Sequence, residues 1–115
     1  MLIDDDELDN FINEKTIEAN LFAEKIYINT SAKGALEFLN NLFTLGKEFS
    51  HLLPKVVFID INMPMMDGFQ FIEHFKTRFG KNMAVKLVIL TSSVYHEDRN
   101  KARTISEDIL FLNKP

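Results

Sequence analysis

Residues 56–68 read VVFIDINMPMMDG, and this segment is the clearest indication of the fold class. Residues 56–59 are apolar at every position, which is typical of a strand buried on both faces of a parallel sheet. The strand ends at Asp60, and Pro64 together with the Asp67-Gly68 pair predicts a loop rather than a longer strand. A buried strand that runs into a carboxylate and a loop predicts an α/β protein with functional residues at its strand ends.

Strands and helices alternate on both sides of this stretch. The predicted strands are residues 1–3, 26–30, 56–59, 87–90 and 109–112. The predicted helices cover about 6–22, from 32 to an end at Gly46, from 69 to an end at Gly80, and about 97–104. This alternation requires right-handed crossovers, and it predicts a five-stranded parallel sheet with helices on both faces. The first helix is expected to turn its apolar residues inward, namely Leu8, Phe11, Ile12, Ala19 and Phe22. The second helix is expected to turn inward Ala32, Ala35, Leu36, Leu39 and Phe43, and the third is expected to carry on one face Phe69, Ile72, Phe75 and Phe79.

Length and composition limit the possible functions. With 115 residues and 46% hydrophobic content, the chain is expected to form one domain over residues 1–115. Its 13 basic and 17 acidic residues give a net charge of −4, which argues against a nucleic-acid-binding surface spread over the domain. The absence of cysteine excludes disulfides, thiolate metal sites and a cysteine nucleophile. No apolar run approaches the ~18 residues of a membrane span, and the acidic start is unlike a signal peptide, so a cytoplasmic protein is expected.

Polar residues follow four of the five predicted strands. Asp4 and Asp5 follow the first strand, Asp60 the third, Thr91 the fourth and Lys114 the fifth. The carboxyl ends of parallel strands meet at one edge of a sheet, so these side chains are expected to share one small volume. The acidic residues between positions 4 and 18 have a second explanation, because carboxylates also cap the first turn of a helix.

Three neighbouring carboxylates repel one another unless a cation neutralises them, and a set of oxygen ligands favours Mg²⁺. We expect Asp5, Asp60 and a main-chain carbonyl of the following loop to bind it. A cation beside a carboxylate, an ammonium and a hydroxyl suits phosphoryl transfer, with Asp60 as the in-line nucleophile that forms an acyl phosphate. No glycine-rich phosphate loop is present, so the phosphoryl donor is expected to be something other than ATP.

Four segments in this order resemble the receiver domain of bacterial two-component response regulators. They are LIDDDE at 2–7, VVFIDINMPMMDG at 56–68, VILTSS at 88–93 and FLNKP at 111–115. The resemblance covers essentially the whole chain and implies a flavodoxin-like fold with strand order 2-1-3-4-5. It further implies a phosphoprotein of phosphorelay signalling that takes its phosphoryl group from a histidine kinase or phosphotransfer protein and switches its binding to a downstream protein.

The resemblance also implies a role for each site residue. Asp60 would be the phosphoacceptor, and Asp5 would bind Mg²⁺ directly while Asp4 acts largely through water. Asn62 would offer its main-chain carbonyl to the metal. Thr91 and Lys114 would contact phosphoryl oxygens, and Phe111 would be an aromatic switch residue that turns inward when Thr91 moves. The bond between Lys114 and Pro115 is typically cis in this family.

Three features depart from the resemblance. The first strand has almost no residues before Asp4, the segment from 43 to 54 is longer than usual, and no fifth helix follows Pro115. A sheet without that helix would expose apolar surface on one flank. We expect either that further residues follow Pro115 or that a partner chain covers this surface. A homodimer that forms on phosphorylation is a separate expectation, and contact with nucleic acid or membrane is not expected.

Other interpretations stay open at this stage. Thr91 can be an ordinary strand-end residue, Lys114 a solvated charge and Phe111 a core residue. His51, His74 and His96 lack the spacing of metal ligands and are expected on the surface. A Mg²⁺-dependent phosphatase with Asp60 as nucleophile is a rival function, although Asn62 stands where such enzymes need a second acid. A binding module that works without phosphorylation is another, although it would not need an intact acidic site.

Overall fold

The computed structural model describes residues 1–20, 23–80, 84–91, 100–101 and 109–114, and the elements follow the predicted order. The strands are β1 (Leu2–Ile3), β2 (Ile28–Asn29), β3 (Val56–Ile59), β4 (Lys86–Thr91) and β5 (Leu110–Asn113). The helices are α1 (Glu7–Ala19), α2 (Ala32–Phe43) and α3 (Gly68–Arg78), and a 3₁₀ helix at Lys47–Leu52 was not predicted.

Two sequence predictions lie wholly or largely outside the described residues. Of the helix expected at 97–104, only Asn100 and Lys101 are described, and both are helical. The bond between Lys114 and Pro115 also lies outside them.

All five strands form one parallel sheet in the order β2-β1-β3-β4-β5, which confirms the predicted fold class. The step from β1 to β2 runs across the sheet in the opposite direction to the step from β3 to β4. Right-handed crossovers therefore place α1 on one face of the sheet and α2 and α3 on the other. The carboxyl ends of the strands lie along a single edge.

The main hydrophobic core lies between the sheet and helices α2 and α3. Ser31 begins α2, because its hydroxyl accepts a hydrogen bond from the Gly34 N–H at 3.0 Å, as a helix N-cap does. Asp67 begins α3 and forms a reciprocal capping box with Gln70. Both helices bury most of their predicted apolar faces, including Ala35, Leu36, Leu39, Phe69, Ile72 and Phe75, whereas Phe43 at the end of α2 was expected inward and is 37% exposed.

Helix α1 does not bury the face that its apolar spacing predicted. The described residues of that face are all exposed, with Leu8 at 66%, Phe11 at 56%, Ile12 at 39%, and Ala19 exposed as well. The last one, Phe22, lies outside the described residues. The buried residues of α1 are instead two amides, Asn10 and Asn13.

Polar contacts at the start of α1 explain this orientation. The Asn10 Nδ2 group donates to the main-chain carbonyl of Asp4 at 2.8 Å, inside the protein. A buried carbonyl that lacked this donor would lose about 1–3 kcal/mol, which is comparable with burying one apolar side chain. This hydrogen bond and the buried side chain of Asn13 mark the side of α1 that faces the sheet, a side that the spacing of the apolar residues does not predict.

Strand β5 leaves part of the α1 face of the sheet uncovered. Leu110 and Leu112 are each 49% exposed, and their register with Val88 and Leu90 assigns them to the face that carries α1. The expected apolar exposure on one flank is thus present.

In the part of the chain that is described, we find no helix with the length and hydrophobicity that crossing a bilayer requires.

Candidate functional site

The carboxyl ends of four strands bring the predicted polar residues to one edge of the sheet. Asp4 follows β1 and Asp60 follows β3, and the parallel pairing of these two strands sets the carboxylates side by side. Thr91 ends β4, and Lys114 follows β5 directly. The Lys114 backbone N–H donates to the Thr91 carbonyl at 2.7 Å, which fixes where the lysine side chain leaves the sheet.

Asp4, Asp5 and Asp60 form a compact carboxylate cluster. Each residue offers one oxygen, and these oxygens lie within 4.8 Å of one another. Asp4 and Asp60 are buried, with 3% and 7% of their surface accessible, whereas Asp5 is exposed. Oxygen ligands alone, two of them shielded and one facing water, fit a hard cation such as Mg²⁺ that keeps part of its water shell.

The ammonium group of Lys114 contacts three carboxylates. Its Nζ lies 2.6 Å from Asp9 Oδ2, 2.9 Å from Asp4 Oδ2 and 3.4 Å from Asp60 Oδ1. The lysine side chain is only 14% exposed, so water screens these contacts weakly. Lys114 therefore holds one positive charge inside the acidic site.

Asp9 was not among the predicted site residues. It lies in the first turn of α1, and an acidic residue there is explained by the helix dipole alone. The signal that could have identified it is its position one helical turn after Asp5, because this turn begins at the strand edge where the site lies. Composition and motif spacing do not distinguish it from Glu7, which is exposed.

The two central charges of the site have shifted pKa values. Burial and the nearby charge of Asp4 raise the pKa of Asp60, against the opposing effects of Lys114 and of a hydrogen bond from the Asn62 backbone N–H. Burial alone would lower the pKa of Lys114. Its hydrogen bonds to Asp9 and Asp4, with the charge of Asp60, outweigh burial and hold the pKa of this lysine above its usual value.

The acidic start of the chain serves both purposes that the sequence suggested. Asp6 is the N-cap of α1, because its Oδ1 accepts from the backbone N–H groups of Leu8 at 2.9 Å and Asp9 at 3.1 Å. Asp4 Oδ1 in turn accepts from the Asp6 N–H at 3.0 Å. Asp5 belongs to the carboxylate cluster. Asp6 therefore caps the helix, while Asp4 and Asp5 contribute to the cluster.

Gly68 at the start of α3 sets the distance between that helix and the end of β3. Its N–H donates to the Ile61 carbonyl at 2.9 Å. A Cβ atom at this position would lie 2.6 Å from the Asp60 carbonyl oxygen and 3.0 Å from the Ile61 Cα. The absence of a side chain therefore allows α3 to contact the backbone of Asp60.

The loop after Asp60 contains three methionines with different environments. Met63 is buried and Met66 partly buried, so both pack against the core as expected. Met65 is fully exposed and has a positive φ of 72°, which a residue with a side chain rarely adopts. The Asn62 side chain is exposed beside the cluster.

The remaining predicted residues lie at different depths. Thr91 is buried at 2%, and Phe111 is partly buried against the main core. His51 and His74 are exposed, as expected, and His96 lies outside the described residues. Among the described residues, the acidic edge therefore contains the predicted carboxylates, hydroxyl and ammonium, with Asp9 in addition.

Comparison with known families gives one match over the whole chain. A family model described as the response regulator receiver domain matches residues 1–115. No curated protein matches significantly.

Solved structures provide an independent comparison. A two-component response regulator from Cytophaga hutchinsonii is 34% identical, with a TM-score of 0.86 over 99% of this chain and 83% of that one. The receiver domain of the histidine kinase CKI1 from Arabidopsis thaliana, in a structure complexed with Mg²⁺, is 17% identical, with a TM-score of 0.83 over 98% and 80% of the two chains. Vibrio cholerae CheY4 is also 17% identical, with a TM-score of 0.73 over 99% and 83%. The last two show the likeness of fold alone.

Proposed function

Because this chain belongs to the response regulator receiver domain family, whose members are signalling phosphoacceptor domains, we propose that Asp60 is the residue that accepts the phosphoryl group. One observation carries this assignment. Asp60 is a buried carboxylate that shares a cluster with Asp4 and Asp5 and lies 3.4 Å from the Lys114 ammonium. An anionic nucleophile with a cation beside it is what attack on a charged phosphoryl group requires.

The transfer proceeds from a phosphohistidine of a partner kinase or phosphotransfer protein. A carboxylate oxygen of Asp60 forms a bond to phosphorus as the bond between phosphorus and the histidine nitrogen breaks, and the imidazole leaves with that electron pair. The Lys114 ammonium and the Thr91 hydroxyl then contact separate phosphoryl oxygens. Catalysis is limited to the domain's own phosphorylation and dephosphorylation, and no other substrate is converted.

The carboxylates of Asp4, Asp5 and Asp60, with the main-chain carbonyl of Asn62, are the groups we propose as a Mg²⁺ site. Bound there, the cation supplies positive charge that offsets the carboxylates and the phosphoryl oxygens. The donor chemistry of the cluster and the complex of CKI1 with Mg²⁺ support this proposal. Both oxygens of Asp4 already have partners, Oδ1 the Asp6 N–H and Oδ2 the Lys114 ammonium, which suits an indirect contact with the metal.

The output of the domain is a change in protein binding. Thr91 moves toward the phosphoryl group and leaves space into which Phe111 turns, and its partly buried ring supports this role. The partners are a bacterial histidine kinase and a downstream protein in the cytoplasm, and phosphorylation also promotes association of two copies. Neither nucleic acid nor membrane is a direct partner.

Phosphorylation by a small acyl phosphate tests the assignment directly. The native chain is incubated with acetyl phosphate and Mg²⁺, and its intact mass is expected to rise by one phosphoryl group. The increment should disappear in Asp60→Asn and with EDTA, and it should persist in Glu7→Gln, which removes an exposed carboxylate outside the cluster. Hydroxylamine, which cleaves acyl phosphates, should remove it.

Two outcomes would contradict the proposal. A folded native chain that gains no increment would show that Asp60 is not a phosphoacceptor. Steady release of phosphate from varied phosphate monoesters would indicate a phosphatase instead.

A further inference from the structure

The contact between Lys114 and Asp9 is the shortest of the three that the lysine makes. Its Nζ is 2.6 Å from Asp9 but 3.4 Å from Asp60. Hydrogen bonds between an ammonium and a carboxylate are strongest at about 2.7–2.9 Å and weaken beyond that range. The lysine is therefore held more tightly by helix α1 than by the residue that we propose as the phosphoacceptor.

Asp9 is itself held in place by its own helix. It lies in the first turn of α1, and its backbone N–H donates to the capping carboxylate of Asp6 at 3.1 Å. The positive end of the helix dipole also stabilises a carboxylate at this position. Asp9 therefore offers the lysine a fixed partner other than Asp60.

Asp9 binds the lysine without belonging to the carboxylate cluster. The described residues that could bind a metal together are Asp4, Asp5 and Asp60, and Asp9 is not among them. Its side chain is 33% exposed, compared with 5% for Asp4 and 8% for Asp60. Removing the Asp9 carboxylate should therefore change the lysine while the cluster itself stays intact.

From this arrangement we infer that Asp9 is a positioning residue that restrains Lys114 and so limits how strongly the lysine stabilises a phosphoryl group on Asp60. The inference rests on the proposed function of Asp60. A phosphoryl oxygen on Asp60 and the carboxylate of Asp9 compete for the same ammonium. Asp9 thus lowers the ratio of phosphorylated to unphosphorylated chain at a given donor concentration.

The test compares Asp9→Asn with two matched variants. Asp9→Asn keeps the shape of the side chain and removes its charge, Glu7→Gln removes one charge from the same helical turn without a contact to Lys114, and Asp9→Glu keeps the charge. Each is incubated with Mg²⁺ and with enough acetyl phosphate to label only a small part of the native chain. The ratio of the two forms is read from the intact mass.

The expected change follows from the strength of a partly exposed ion pair. The ratio should rise roughly two- to fivefold in Asp9→Asn and should stay near the native value in Glu7→Gln. Asp9→Glu should lie closer to the native chain than to Asp9→Asn. A ratio in Asp9→Asn equal to that in Glu7→Gln, or lower than in the native chain, would overturn the inference.

A double variant separates positioning of the lysine from a structural role of Asp9. If Asp9 acts through Lys114, then adding Asp9→Asn to Lys114→Ala should leave the ratio of phosphorylated to unphosphorylated chain unchanged, at a donor concentration that labels part of the Lys114→Ala chain. A further change in that background would show that Asp9 acts by another route and would overturn the inference. Failure of the native chain to be labelled would instead refute the proposed function, so the two failures are distinguishable.

Discussion

Helices α1 and α3 hold the acidic edge from opposite faces of the sheet by different means. Helix α3 buries a row of aromatic side chains in the main core and touches the Asp60 backbone through Gly68. Helix α1 exposes its apolar residues and is attached through Asn10 to the Asp4 carbonyl. Apolar burial positions α3, and polar contacts position α1. Substitutions of the same kind should therefore have unequal effects on the two faces.

The largest difference is expected between two phenylalanines. Phe75 on α3 is 2% exposed and stacks between Phe71 and Phe79, whereas Phe11 on α1 is 56% exposed. Phe75→Ala should lower the free energy of unfolding by about 3–5 kcal/mol, because it leaves a cavity in the core. Phe11→Ala should lower it by less than about 1 kcal/mol. Urea unfolding followed by circular dichroism measures both values.

Equal losses in these two variants would contradict the contrast between a buried α3 face and an exposed α1 face. They would show that Phe11 is covered in solution, for example by association of two chains. Repeating the unfolding at several protein concentrations distinguishes this case, because only a self-associating chain gains stability with concentration.

The next largest effect is expected at the start of α3. Gly68→Ala places a Cβ atom 2.6 Å from the Asp60 carbonyl oxygen, a backbone atom that cannot rotate away. We expect a loss of about 1–3 kcal/mol in the free energy of unfolding and slower labelling by acetyl phosphate. Gly34→Ala is the matched control, since its new Cβ would meet side-chain atoms and no backbone, namely Ser31 Oγ at 2.9 Å and Asn29 Oδ1 at 3.9 Å. Native labelling rates in Gly68→Ala would show that α3 does not set the position of Asp60.

A smaller loss is expected from the hydrogen bond that orients α1. Asn10→Ala removes the donor to the buried Asp4 carbonyl and should cost about 1 kcal/mol of the free energy of unfolding. The loss is partly offset because Asn10 Oδ1, a buried atom that accepts a hydrogen bond from none of the described residues, is removed as well. Asn41→Ala, at an exposed position of α2, should be nearly neutral. A stability gain in Asn10→Ala would show that apolar contacts orient α1 after all.

The same contrast explains which parts of the molecule the sequence could predict. Apolar burial alone determines the strands at 56–59 and 87–90 and the inward faces of α2 and α3. The pattern of apolar residues therefore predicted these elements. The side of α1 that faces the sheet carries Asn10, whose amide donates to the Asp4 carbonyl. The apolar pattern contains no information about that contact. Leu8 and Phe11 followed the expected spacing and are nonetheless exposed.

The candidate site shows a similar division. Residues that directly follow strands, such as Asp4 and Asp60, could be grouped from the sequence because parallel topology brings strand ends together. Asp9 was missed although it lies one helical turn after Asp5, because its contact with Lys114 depends on the rotation of α1 about its axis, which the apolar pattern predicted wrongly. Asp9 and Lys114 are 105 residues apart in the sequence. Their ion pair therefore depends on how the helix packs against the sheet, which a local sequence pattern does not predict.

The last variant, Asp60→Asn, is expected to stabilise the fold instead of weakening it. Burial and the charge of Asp4 raise the pKa of Asp60 above its usual value of 3.8, so in the folded chain the ionised form is disfavoured. A group with a raised folded pKa contributes stability below its unfolded pKa, and that contribution is lost as pH rises through the folded pKa. With EDTA present at pH 7, Asp60→Asn should therefore unfold at higher urea concentration than the native chain. The difference should shrink on acidification below the unfolded pKa, whereas Glu7→Gln should show no such gain. If the native chain is instead more stable than Asp60→Asn at neutral pH, the attraction of Lys114 exceeds the cost of burying the Asp60 carboxylate. The acidic edge would then stabilise the α1 side of the molecule instead of destabilising it.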